Sequence, residues 1–116
     1  MQGYRELVAW QKAMDLVEAV YVATRQWPRE ELYGLTDQAR RAAVSVPANV
    51  AEGQGRQGKA EFGHHLSMAH GSLHELESHL LIARRLGYFD EAGCAALLAQ
   101  TAEEGRLLGG LMRSLR

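Results

Sequence analysis

The sequence predicts an all-α protein: an antiparallel up-down four-helix bundle with a proline-kinked second helix, built from residues 1–116 as one domain and assembling as a homo-oligomer. Three observations carry that expectation. Four segments repeat apolar residues at steps of three and four, with no strand-like alternation. The connections between them are short and rich in glycine or proline. The first segment is apolar over a wider arc than a bundle helix needs.

In helix one, the series Leu7, Trp10, Met14, Val17, Tyr21 and Thr24 predicts a helix over residues 8–26. Trp27 and Pro28 end it, and Pro28 followed by Arg29, Glu30 and Glu31 has the proline and acidic first turn of a short helical turn closing at Gly34. Thr36 is the expected N-cap of helix two, whose Leu35, Ala39, Ala42, Val46, Val50 and Gly53 share a face. Pro47 lies inside this helix, where a proline costs about 3 kcal/mol, removes a donor and presses on the carbonyl of Ala43. A kink is expected there.

Gly53, Gly55 and Gly58 mark a loop; no strand precedes it and no Gly-Lys-Ser/Thr follows, so it is not a nucleotide phosphate loop. Helix three, residues 59–86, carries the most regular pattern: Phe62, Leu66, Ala69, Leu73, Leu76, Leu80 and Ala83. At 1.5 Å per residue it would reach about 42 Å and form the spine of the bundle. Gly87 stops it, Asp90 caps the next helix, and Cys94, Leu97, Thr101, Leu108, Leu111 and Leu115 mark that fourth helix.

Helix one has a second apolar series beside the first, Ala9, Ala13, Leu16, Val20 and Ala23. Together the two cover an arc of about 160°, against the stripe somewhat over 100° that a bundle helix buries. The strip Ala9, Ala13, Leu16 and Val20 is therefore expected to face another subunit, the alternative being that residues 27–33 fold over it.

The 47% apolar and 23% charged content describes an ordinary globular protein rather than a disordered one. No apolar run approaches the roughly 18 residues of a membrane span, and residues 1–10 lack a signal-peptide pattern, so a cytoplasmic protein with no membrane partner is expected. The single cysteine, Cys94, excludes an intrachain disulfide and a cysteine zinc site and is expected to be a packing residue. A formal charge of -1 excludes a uniformly basic nucleic-acid binder. Any such binding requires local charge; the candidates are the adjacent pairs Arg40-Arg41 and Arg84-Arg85, with Arg56 and Lys59, repeated around an oligomer.

Catalytic and metal patterns are incomplete. Glu61 and His64 have the Glu-x-x-His spacing of di-iron bundles, but all five histidines lie between His64 and His79 on one helix, so the second motif is missing. His70, His74 and Glu77 lie on one face and would hold a metal only with help from a neighbouring subunit. Ser72 and His74 diverge by about 200° on a helix and form no nucleophile-base pair. The acid pairs Glu30-Glu31 and Glu103-Glu104 are expected to be solvated. No catalytic residue, cofactor, metal ligand or small-molecule substrate is assigned.

The stretches YRELVAWQKAMDL, LYGLTDQARRAAVSVPANVAEG and EFGHHLSMAHGSLHELESHLLIARRLGY resemble the bacterial four-helix-bundle family first noticed as reading frames inside intervening sequences of 23S ribosomal RNA genes, across residues 4–88. A more distant similarity is to the accessory proteins of diversity-generating retroelements. The resemblance implies a cytosolic homopentamer and a connection to RNA or DNA, and no defined activity. The family's recurrent polar positions map onto Arg40, Arg41, Asn49, Glu52, Gly53, Glu61, Ser72, Glu75 and Glu77, while Gly63 and His65 depart from the bulkier residues, aromatic at the latter, common in relatives. Asn49, Glu52, Glu61, Ser72 and Glu75 are expected to form a structural polar network that satisfies groups freed by Pro47 and fixes helix register. The expected function is a non-enzymatic oligomeric scaffold or accessory protein, with RNA or DNA association left open. A protein-binding module without nucleic acid and a metal-binding bundle are the alternatives.

Overall fold

The computed structural model describes residues 3–116. After a 3-10 turn at Tyr4–Glu6 come α1 (Val8–Thr24), a second 3-10 turn (Arg29–Glu31), α2 (Leu35–Gln54), α3 (Lys59–Arg85) and α4 (Glu91–Ser114). There is no strand among the described residues. Each helix packs on its chain neighbours and α4 returns to α1, so the four close a ring around one core. The molecule measures 44 × 24 × 19 Å, its long axis close to the roughly 40 Å rise of the 27-residue α3. No helix is long and apolar enough to cross a membrane among the described residues.

The buried face of α1 is Ala9, Ala13, Leu16, Val20 and Thr24. This corrects the interface assignment: Ala9, Ala13, Leu16 and Val20 are 3% exposed or less within a single chain. The physical reason is size. Two alanines in the first half of α1 let neighbouring helices approach closely, and the bulky series is displaced to the flank. Trp10 and Val17 are half-buried there, while Met14 is 44% and Tyr21 39% exposed. The excess apolar arc is real, and it lies on the other series.

Helix α2 starts one residue before the expected cap. Thr36 is buried inside the helix, and the Glu31 carboxylate instead accepts the Leu35 N–H at 2.9 Å. Its predicted face, Leu35, Ala39, Ala42, Val46, Val50 and Gly53, is buried throughout, and Pro47 sits in the helix without ending it. Gly53 is small by necessity: a Cβ there would stand 2.6 Å from the Cβ of His65.

The core stripe of α3 runs from Leu66 to Ala83 as the spacing predicts, between Gly58 at φ +90 and Gly87 at φ +78. Asp90 caps α4 by accepting the Gly93 N–H at 2.7 Å. Cys94 is buried with its thiol toward the Leu80 carbonyl, and burial pushes that thiol up from its ordinary value. One end of the bundle is closed by aromatic packing, Trp27 lying 6.2 Å from the Tyr88 ring and 5.5 Å from that of Phe89.

Candidate functional site

Two polar features stand out from the apolar core. The first is a half-buried seam between α2 and α3. The Oγ atoms of Ser45 and Ser72 are 2.7 Å apart; the Asn49 amide donates to the Ser45 carbonyl at 2.9 Å and to its hydroxyl at 3.1 Å. The Asn49 Oδ1 meets His65 Nδ1 at 3.3 Å. Asn49 and Ser72 thus belong to a network, as expected, though its amide serves Ser45 rather than the Ala43 carbonyl that Pro47 crowds.

Glu52, Glu61 and Glu75 do not join it. All three are exposed: Glu52 pairs with Arg56 at 2.7 Å, and Glu75 lies 3.7 Å from His79 Nε2. Each projects from the outer side of its helix, where water solvates a carboxylate more cheaply than a core would. The bond from Arg56 holds Glu52 below the usual carboxylate range. Ser45 and His65 are the members that sequence reasoning missed. The seven-residue spacing of His65, Ser72 and His79 along α3 was the available signal.

The second feature is a pair of adjoining clefts where α1, the second 3-10 turn and α2 meet. One, of about 560 Å³, is walled by Tyr21, Tyr33, Asp37, Arg41 and Val44. The other, of about 410 Å³, is walled by Thr24, Arg25, Trp27, Arg29 and Thr36. Arg40 and Leu32 line both. Arg40 is held in place: its Nε donates to the buried Thr24 hydroxyl at 2.9 Å, Thr24 donates to the Val20 carbonyl at 2.8 Å, and the guanidinium stacks 4.6 Å from the centre of the Tyr21 ring.

Among the described residues no ion pair engages Arg25, Arg29, Arg40 or Arg41. Asp37 is the one acid in the walls, and it pairs with none of them. Glu31 is nearby in sequence but occupied, accepting from the Leu35 N–H and, at 2.7 Å, from the Tyr88 hydroxyl; those bonds hold it below the usual carboxylate range.

The six basic candidates therefore divide. Arg40 and Arg41 line the clefts; Arg56 is neutralised by Glu52 and Arg84 lies 3.4 Å from Glu91, while Lys59 and Arg85 are simply exposed. Arg56 is roughly 24 Å along the α2 axis from Arg40, so the set forms no single patch. Arg25 and Arg29 were not among the candidates. They lie 11 to 15 residues before Arg40, and only the fold brings them to it.

Residues 5–110 match the model of the 23S rRNA-intervening sequence protein family. The chain belongs to that family. Its fold is similar to the crystal structure of a protein of unknown function from the S23 ribosomal protein family of Bacteroides thetaiotaomicron, with TM-score 0.81 and 22% identity over 90% of this chain and 98% of that one. No curated protein sequence matches the chain.

In this family member, His70, His74 and Glu77 line one small cleft, but among the described residues no group of three or more His, Cys, Asp or Glu side chains is placed to hold a metal ion. His70 and His74 pack ring against ring, 4.7 Å apart, and Ser72 bonds Ser45 rather than a histidine. Glu104 overturns the expectation of solvated acid pairs. It occupies the core-facing series Cys94, Leu97, Thr101, Glu104 and Leu108, is 1% exposed, and neither carboxyl oxygen has a protein partner. Burial, and secondarily the charge of Glu103, pushes its pKa up to about 8.

Proposed function

We propose that this member of the family is a non-enzymatic cytoplasmic assembly subunit, which associates with copies of itself and serves as a scaffold or accessory protein. The observation that carries the reading is the flank of α1, where exposed Met14 and Tyr21 alternate with half-buried Trp10 and Val17 in an apolar row that exposed Val44 of α2 continues. Exposed apolar patches of this kind mark interaction surfaces. A second copy is the occupant that fits best, since a chain of formal charge -1 meets its own kind without strong repulsion. Five copies is the number the family resemblance implies. Paired contacts in which residue numbers rise on one helix and fall on the next, Ser45 with Ser72 and Asn49 with His65, support an up-down antiparallel order. A bend at Pro47 belongs to the same proposal.

Light scattering tests it. The native chain is expected to have a multiple of the 12.8 kDa protomer mass, and Met14→Glu to lower that mass while retaining helical circular dichroism. A native chain that stays monomeric at tens of micromolar overturns the reading. Leu16→Glu is the contrasting variant: it charges the protomer's own core and is expected to unfold it. An accessory role beside RNA or DNA is a second reading, favoured by the unpaired arginines of the two clefts.

A further inference from the structure

The paired clefts gather positive charge. Four of the chain's 13 basic residues line them, one acid does, and among the described residues no ion pair uses the four. Arg40 is moreover fixed at its Nε by Thr24 and across its face by Tyr21, which leaves both Nη groups free to donate. A guanidinium held in this way has already lost much of its side-chain freedom and is prepared for two parallel bonds to an oxyanion. Like charges gathered in a concave, partly apolar site concentrate the field and favour anions.

Tyr33 supplies the second element. It stands on the rim of the larger cleft, 92% exposed, which no folding contact explains. An exposed aromatic ring beside unpaired arginines is the arrangement that holds a base and its phosphates together. The volumes, about 560 and 410 Å³, fall in the range of small-ligand pockets.

We infer that the paired clefts are a binding site for a phosphorylated nucleoside, with its phosphates on Arg25, Arg29, Arg40 and Arg41 and its base against Tyr33. Two sources share that chemistry: a free nucleoside triphosphate and a unit within a single strand of RNA. The site borders the proposed self-contact, since Tyr21 and Val44 belong to both, and through its strand arm the inference deepens the accessory reading beside nucleic acid.

The test is calorimetric titration of the native chain at 50 and 200 mM salt with ATP, with an eight-residue oligouridylate and with inorganic triphosphate. Binding of ATP or oligouridylate that weakens with salt is expected. Arg29→Ala and Arg25→Ala, both exposed and outside the core, are expected to weaken it roughly tenfold each, as for a lost charge-assisted hydrogen bond. Arg85→Ala should leave it unchanged. Tyr33→Ala should weaken ATP or oligouridylate and leave inorganic triphosphate unaffected. Binding of ATP without oligouridylate supports the site and removes the nucleic-acid role; preference for oligouridylate supports both. Absence of binding by both at 50 mM salt overturns the inference, as does an equal loss in Arg85→Ala and Arg29→Ala. Indifference of ATP to Tyr33→Ala overturns the placement of the base.

Discussion

Gly53 of α2 and His65 of α3 meet so closely that a Cβ on the glycine would stand 2.6 Å from the histidine Cβ and 3.1 Å from the Phe62 ring. The opposing atoms belong to the root of a side chain, which cannot swing aside. Gly53→Ala is expected to destabilise the fold by about 1 to 3 kcal/mol, the cost of overpacking, despite alanine's helix advantage of about 1 kcal/mol. Urea unfolding measures it; a variant more stable than the native chain would show that the seam has slack.

Asn49 and Glu52 separate buried polar structure from surface charge. Asn49→Ala removes three bonds from the α2–α3 seam and leaves Ser45 and His65 short of partners, with an expected loss of about 1 to 2 kcal/mol. Glu52→Ala breaks an exposed pair with Arg56 and is expected to leave the melting temperature nearly unchanged. Equal losses in the two variants would contradict the division.

Glu104 gives the stability a slope between pH 4.5 and about 8. Its pKa is about 8 in the folded chain against an ordinary 4.5, so the native state retains a proton that the unfolded chain has released between those values. Stability therefore falls as pH rises through that window. Glu104→Gln is expected to flatten the slope and, at pH 9, to gain on the order of 5 kcal/mol over the native chain. Urea midpoints at pH 5, 7 and 9 decide it; parallel declines in both proteins would count against a buried acid.

The acid side belongs to Glu31. Two hydrogen bonds to its charged form, from Leu35 first and Tyr88 second, hold its pKa below the usual range, so its stabilisation is complete above the ordinary carboxylate pKa and is lost as pH falls through the lowered one. Glu31→Gln is expected to lower the melting temperature at pH 7 and to narrow the gap from the native chain as pH drops below about 4. A gap that stays constant with pH would assign the effect to shape rather than charge.

The helices were legible because burial enforces period. Every predicted core residue of α3 from Leu66 to Ala83 is buried, and Asp90 and Gly87 fall where local backbone chemistry puts them. The two series of α1 were also visible, but not which one faces inward: spacing reports that a stripe exists, whereas the choice depends on how much volume the opposing helices leave. Glu104 was unreadable for a related reason, since its neighbour Glu103 is chemically identical and only rotation about α4 separates a solvated acid from a buried one. The clefts draw Arg25, Arg29 and Arg40 from three elements, and no linear motif encodes that meeting.

Glu31 has one last consequence. Its two oxygens join the first turn of α2 to Tyr88, and Trp27 packs on Tyr88 and Phe89, so the α1–α2 and α3–α4 connections are stitched to each other. The remaining connection, Gly55–Gly58, is exposed and has no comparable stitch. The bundle is thus like a book bound along one edge, and local opening is expected to begin at the glycine loop. The arginine clefts lie on the spine, so their shape is expected to outlast an opening of the far edge.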